Sequence, residues 1–294
     1  MKSEELLDSS LLQKLDRLAL ASRRHLGRGN KGERRSTRKG SSLEFVDYRH
    51  YTSGDDPRQV DWNLYGRTGS LFVKLFEEEE VLTTHVLLDT SASMDWGNPN
   101  KLDYGRRLAG ALGYIALAGY DRAMVGLIGD GQATTTFGPV WGRRRVAAML
   151  SFLAGSKAGG QTDLGLATAR YLERQPTPGV VILVSDLLSP TAETGIKHLV
   201  THQHQVVVLH LLAPEEENPP AGEGLRLVDK ETGRGVEVFL DQQAIDLYTQ
   251  RLVDWSAALQ RTCSRYGAVY LRLSSALPLE QALFGSLQRR GVLQ

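Results

Sequence analysis

From Val81 onward the chain sets nearly continuous apolar runs between stretches whose apolar residues recur at helical spacing. Val81–Asp89, Ala123–Gly129, Val180–Asp186, Val206–Leu212 and residues 268–273 read as strands, and Thr134–Val140 as a short one. Tyr104–Gly119, Arg143–Leu153, Asp163–Gln175, Ala192–His202 and residues 242–266 and 278–290 read as helices. A strand without polar alternation is buried on both faces, and strands separated by helices pair in parallel. The expected fold class is therefore α/β: a doubly wound, mostly parallel sheet with helices on both faces. After a Pro/Glu-rich loop at 214–223, Leu225–Val228 and Val236–Leu240 flank a turn at Thr232-Gly233 and predict a hairpin.

The first eighty residues follow a different pattern. Residues 6–26 carry Leu6, Leu7, Leu11, Leu15, Leu18 and Ala19 near helical spacing, which predicts an amphipathic helix. Arg23–Lys39 holds eight Lys/Arg among Gly and Ser and reads as a basic loop. Two β-like runs, Leu43–Tyr51 and Ser70–Glu78, are separated by the turn signal Gly54-Asp55-Asp56-Pro57. The expected organisation is an extension over 1–80 (helix, basic loop and β piece), and a main domain over 81–294. The lone thiol, Cys263, sits in a helical stretch and reads as a buried structural residue.

Oxygen ligands stand where the strands end. Asp89 closes the first strand of the main domain and is followed by Ser91 and Ser93, at i, i+2 and i+4. In an extended chain these side chains point to one side. Val180–Val184 runs into Ser185-Asp186, and Gly159-Gly160-Gln161-Thr162-Asp163 is a glycine-loosened loop opening a helix. Ligands of open α/β sheets collect at the carboxyl ends of the strands. Two carboxylates and three hydroxyls are hard donors suited to Mg²⁺ or Mn²⁺, and the absence of soft or imidazole donors argues against zinc or copper. Each piece has an ordinary structural role as well: Asp and Ser form turns and caps, Thr162 can cap its helix, and Asp186 can simply end its strand. The three pieces together, in order and each at a strand end or helix start, point to a metal site formed by Asp89, Ser91, Ser93, Thr162 and Asp186.

These motifs, Asp89-Thr-Ser-Ala-Ser-Met94, Gly159-Gly-Gln-Thr-Asp163 and Val184-Ser-Asp186, resemble the metal-ion-dependent adhesion site of von Willebrand factor type A domains, over roughly residues 80 to 275. The resemblance implies that the five residues ligate the ion, directly or through water, and that an acidic residue of a bound protein completes its shell. The preceding segment, Glu44 to Trp62 with Gly54-Asp-Asp-Pro-Arg-Gln-Val-Asp-Trp62, then Tyr65-Gly-Arg67 and Leu71-Phe-Val-Lys74, resembles the domain-of-unknown-function 58 family. That family is a branch of the type A superfamily often encoded beside MoxR-type AAA+ ATPases. It implies an adaptor or chaperone-like partner of such an ATPase or its client. Gly54, Asp55, Asp56, Arg58, Asp61 and Trp62 read as a structural turn whose charges pair and whose Trp62 packs the extension onto the main domain.

Other functions fit the residues less well. An aspartate ending the first strand suits a phosphohydrolase nucleophile, which makes a metal-dependent phosphohydrolase using Asp89 the alternative reading. The chain lacks the D-x-D pattern, however, since Ser91 holds its second position. It also shows no G-x-S-x-G elbow, Walker A or G-x-G-x-x-G motif, so no enzyme activity is expected. A net charge of +1 and a basic stretch without aromatics argue against nucleic acid. His198, His202 and the nearby His204 read as surface histidines rather than a second metal site. No run reaches the roughly 18 apolar residues of a membrane span, and the acidic start, Glu4, Glu5 and Asp8, is unlike a signal peptide. A cytoplasmic location is the expectation.

Overall fold

A computed structural model describes residues 6–20, 43–78, 82–129, 135–161, 163–174, 177–231 and 233–294 of the chain. The basic stretch 23–39 and Thr162 lie outside the described residues. The chain forms two compact units, one of residues 1–29 with 82–294 and the other of residues 30–81.

The larger unit is built on a six-stranded sheet. Its strands are β3 (Thr83–Asp89), β4 (Arg122–Ile128), β5 (Thr135–Trp141), β6 (Gly179–Ser185), β7 (Gln205–Leu212) and β10 (Val269–Ser274), in the order β10-β7-β6-β3-β4-β5. All neighbours are parallel except β5, which runs antiparallel at one edge. This is the doubly wound arrangement that the apolar runs predict. β3 and β6 are buried along their whole length, and their side chains alternate between two cores. Val86, Leu88, Ile182 and Val184 face one layer with α3 (Lys101–Ala118) and α4 (Val146–Ala154). Leu87, Val181 and Leu183 face the other, with α5 (Leu164–Arg174), α6 (Ala192–Thr201) and α8 (Gln242–Arg265). The β3–β6 pairing starts so close that a side chain at Gly179 would collide with the Thr83 carbonyl. Cys263 is fully buried on α8, as expected.

The helix expected over 6–26 is short: α1 spans Ser9–Leu15. Asp8 caps it by accepting from the Leu11 N–H at 2.7 Å. Beyond it the backbone finds a better partner, because Ala19 and Gln294 exchange N–H···O bonds of 3.0 and 2.8 Å beside a Leu20–Leu293 bridge. Leu11 and Leu15 join the core with α3, so α1 belongs to the larger unit rather than to the extension. The last helix also departs from its expected form: α9 (Leu279–Gln281) widens into a π-helix at Ala282–Leu287. Between β7 and α8 lie the short α7 (Pro214–Glu217) and the hairpin of β8 (Gly222–Val228) and β9 (Gly235–Leu240).

In the smaller unit β1 (Leu43–His50) pairs antiparallel with β2 (Phe72–Glu78), with α2 (Trp62–Thr68) between them. The charged signature is local scaffolding. Gly54 holds φ 110°, which a residue with a side chain rarely adopts. Asp55 accepts from Arg49 at 2.8 Å and from the Thr52 N–H at 2.8 Å, and the Arg49 guanidinium holds its pKa down at about 2. Asp56 caps a 3-10 turn through the Arg58 N–H. Asp61 caps α2 through the Asn63 and Leu64 N–H groups and accepts from the Tyr48 hydroxyl. Trp62 opens α2, is 61% exposed and lies edge-on to Tyr65.

The histidines also correct the sequence reading. His204 is buried, accepts from the Gly179 N–H, and stacks edge-on against His85 inside β3. His85 shares a 2.6 Å hydrogen bond with the Tyr171 hydroxyl. Burial, and then the neighbouring His204, push the His85 pKa down to about 4. The unfolded chain therefore takes a proton near pH 6.5 that the native one refuses until about pH 4. Stability contributed by neutral His85 is complete above pH 6.5 and falls as pH drops towards 4, by roughly 3 kcal/mol. We expect urea titrations to show a pH slope shallower by about one proton in His85→Gln over that window. Equal slopes in the two proteins would exclude this role.

Candidate metal centre

The strand order reverses between β3 and β6. From β3 the chain crosses through α3 to β4 on one side, and from β6 through α6 to β7 on the other. The two crossovers leave on opposite faces, so the carboxyl ends of β3 and β6 mark the position at which open α/β sheets form their ligand crevice. Asp89 is the last residue of β3 and Asp186 follows the last residue of β6. Both carboxylates are buried, at 1% exposure each.

Beyond β3 the chain folds back on its own aspartate. The Ser91 N–H donates to Asp89 Oδ1 at 2.9 Å, and a 3-10 turn over Ala92–Met94 follows. This turn brings the Ser91 and Ser93 hydroxyls within 2.9 Å of each other. The third segment docks on the same loop: the Gly159 N–H donates to the Thr90 carbonyl at 2.9 Å, and the Ala92 N–H to the Gly160 carbonyl at 3.1 Å. Asp163 caps α5 by accepting from the Leu166 N–H and from the Thr191 hydroxyl, so the capping role considered for Thr162 is filled by its neighbour. Four of the five expected ligand residues are thus described. Asp89, Ser91 and Ser93 form one hydrogen-bonded cluster, and Asp186 lies close enough to act on Asp89 electrostatically.

Three further residues take part. The Ser185 hydroxyl donates to Asp89 Oδ2 at 2.6 Å and accepts from the Leu187 N–H at 2.9 Å. That second bond secures Leu187 in a left-handed conformation, φ 58°, of a kind that costs about 1–3 kcal/mol and gathers at functional sites. Lys101, fully buried at the start of α3, donates to Asp186 Oδ2 at 2.8 Å and to Glu216 Oε1 at 2.6 Å. Glu216 in turn accepts from the Ala213 N–H at 2.7 Å through its other oxygen. Ser185 is visible in sequence only as part of its motif, while Lys101 and Glu216 read as ordinary surface charges.

The electrostatics follow from burial. Desolvation, and then the Asp186 carboxylate, raise the Asp89 pKa above the ordinary carboxylate range. Burial also works against the Lys101 ammonium, but Asp186 and then Glu216 outweigh it and leave its pKa raised. Burial raises the Glu216 carboxyl against the opposing pull of Lys101.

The donor set fits a small hard dication. Octahedral Mg²⁺ holds its oxygens at about 2.0–2.1 Å, which sets neighbouring ligands roughly 2.9 Å apart. The Ser91 and Ser93 hydroxyls stand at that separation. Among the described residues no group of three or more His, Cys, Asp or Glu side chains is placed to hold a metal. The set here has a different composition, two carboxylates and two hydroxyls.

Residues 47–258 match the family model described as Protein of unknown function DUF58. The chain belongs to the DUF58 family. The uncharacterized protein Rv1480 of Mycobacterium tuberculosis is 27% identical over 261 residues, spanning 86% of this chain and 82% of the relative. Among solved structures, an aerotolerance-related membrane protein from Bacteroides fragilis is 17% identical with a TM-score of 0.41, covering 71% of this chain and 99% of that one. The manganese-loaded TRAP protein of Plasmodium vivax is 15% identical with a TM-score of 0.35, covering 64% and 74%. Likeness of this degree says nothing about the ligand or partner of the DUF58 chain. Its six mostly parallel strands, with helices on both faces, have the doubly wound α/β architecture expected from the sequence.

The expectation of a cytoplasmic location does not stand. The Bacteroides fragilis neighbour is named a membrane protein, and the lack of an apolar run does not fix a location. Among the described residues no helix is long and apolar enough to cross a membrane.

Ser185 ties the Asp89 carboxylate to β6. Ser185→Ala removes a donor from a buried carboxylate and the acceptor of a strained turn. We expect a loss of about 1–3 kcal/mol of unfolding free energy with the cooperative transition retained. Urea denaturation checks this, and an unchanged midpoint would exclude it.

Proposed function

We propose that this DUF58 chain is a metal-dependent protein-interaction module. Mg²⁺ or Mn²⁺ is held by Asp89, Ser91, Ser93, Thr162 and Asp186, directly or through water, and an acidic group of a partner protein completes its shell. The observation that carries the reading is the pairing of two buried, mutually repelling carboxylates with two hydroxyls 2.9 Å apart. A dication relieves the repulsion and uses donors that are already gathered. Trp96 and Leu188, 44% and 51% exposed, follow the Ser93 turn and Asp186 and supply apolar surface beside the crevice. By family resemblance, the partner is a MoxR-type AAA+ ATPase or its client.

The alternative is a metal-dependent phosphohydrolase using Asp89; the hydrogen bonds from the Ser91 N–H and the Ser185 hydroxyl orient its carboxylate for either role.

Isothermal titration of Mg²⁺ and Mn²⁺ should show binding to the wild type and a loss of at least tenfold in Asp89→Ala. Equal binding would remove the metal site. Phosphoester turnover that vanishes in the same variant would overturn the non-catalytic reading. Asp186→Ala should retain its thermal transition, because Glu216 still pairs Lys101, while losing chelator-sensitive capture of a purified MoxR-type ATPase. Capture that survives both the mutation and the chelator would exclude a metal-mediated contact.

A further inference from the structure

Lys101 is placed against the preference of its own helix. It is the first residue of α3, whose N-terminus carries the positive end of the helix dipole, where a cation is disfavoured. The helix is already capped, since Asn100 accepts from the Asp103 N–H at 3.1 Å. Lys101 is also fully buried, and an ammonium out of water is costly unless it is paired. What holds it is the pair of carboxylates it bridges, Asp186 at 2.8 Å and Glu216 at 2.6 Å. One belongs to the proposed metal site; the other comes from α7, on the segment that follows β7.

We propose that Lys101 is a tethered counter-cation that sets the metal affinity of the crevice, and that Glu216 tunes it by drawing the ammonium away from Asp186. The inference rests on the metal-binding reading above. Without the ion, the ammonium offsets the repulsion that Asp186 exerts within the crevice. With the ion, ammonium and dication share Asp186 and repel each other, so Lys101 weakens binding. Glu216 moderates this by sharing the ammonium and anchoring it through a carboxylate that the Ala213 N–H also fixes. Three carboxylates against one ammonium leave the site with two net negative charges, matched to a dication. Lys101 and Glu216 are thus positioning residues whose effects on affinity have opposite signs.

The opposite signs make the test. Mg²⁺ and Mn²⁺ are titrated calorimetrically into wild type, Lys101→Met and Glu216→Gln of the full chain, with metal-free and metal-bound thermal transitions recorded for each. Lys101→Met is expected to bind at least tenfold more tightly and to melt lower without metal, so that its metal-induced rise in Tm exceeds that of the wild type. Glu216→Gln is expected to bind several-fold more weakly, because the ammonium then answers to Asp186 alone. A merely structural role for the triad would weaken or preserve binding in both variants alike, and that result overturns the proposal. If Lys101→Met fails to fold, Lys101→Gln takes its place: tighter binding than wild type supports the proposal, and weaker or wild-type binding overturns it. A wild type that binds neither ion removes the metal site itself. A wild type that binds, with both variants matching it, removes only the role of Lys101.

Discussion

The parallel pairing of β3 with β6 is the contact from which the rest of the larger unit follows. Both strands are buried throughout, so each presents one side chain in two to each core layer. Their pairing also marks the point where the chain reverses its direction of travel across the sheet. Crossovers leaving to opposite faces cannot close over the strand ends between them. A crevice at Asp89 and Asp186 is therefore a topological consequence of the strand order, and local sequence decides only what lines it. The glycine at the start of β6 serves the same pairing, because the Thr83 carbonyl occupies the space a side chain would need.

What lines the crevice is a set of groups that hold one another in place. Asp89 is gripped from its own loop by the Ser91 N–H and from the neighbouring strand by the Ser185 hydroxyl. Ser185 also steadies Leu187 at a positive φ, and Leu187 lies between Asp186 and the exposed Leu188. The same hydroxyl that orients one carboxylate thus shapes the turn that leads away from the other. The glycine loop, docked by two backbone hydrogen bonds on the 90–92 segment, closes the third side. Rotamers fixed by such contacts are what a coordination site requires before the ion arrives.

Much of this was legible in the sequence because it is local. The apolar runs could only be strands buried on both faces, and Asp89, Ser91, Ser93 and Asp186 stand directly beside two of them. Lys101 and Glu216 carry no such mark, because their roles exist only in three dimensions. A lysine opening a helix and a glutamate in Pro214-Glu-Glu-Glu217 each read as solvated charges; it is α3 lying under the sheet rim, and α7 leaving β7, that bring them together. Competition hid other features. The leucines of residues 6–18 have helical spacing, yet the helix stops at Leu15 because the backbone at Ala19 is better satisfied by Gln294 from the far end of the chain.

The energetics of the crevice agree with the proposed binding role better than with a role in stability. Burying Asp89, Asp186 and Lys101 costs desolvation that their mutual attraction only partly recovers, and apolar residues of similar size are often at least as stable in such places. A left-handed leucine adds about 1–3 kcal/mol of backbone strain at the same rim. In the fully buried strands β3 and β6 the side chains are otherwise largely apolar, with His85 and its neighbours His204 and Tyr171 forming a separate polar cluster away from the strand ends. Charge burial, strain and gathered hydroxyls thus coincide at the one place where topology leaves the sheet open. Each has a structural explanation alone; the proposed ion would account for their coincidence, by collecting the oxygens and neutralising what the fold leaves in excess.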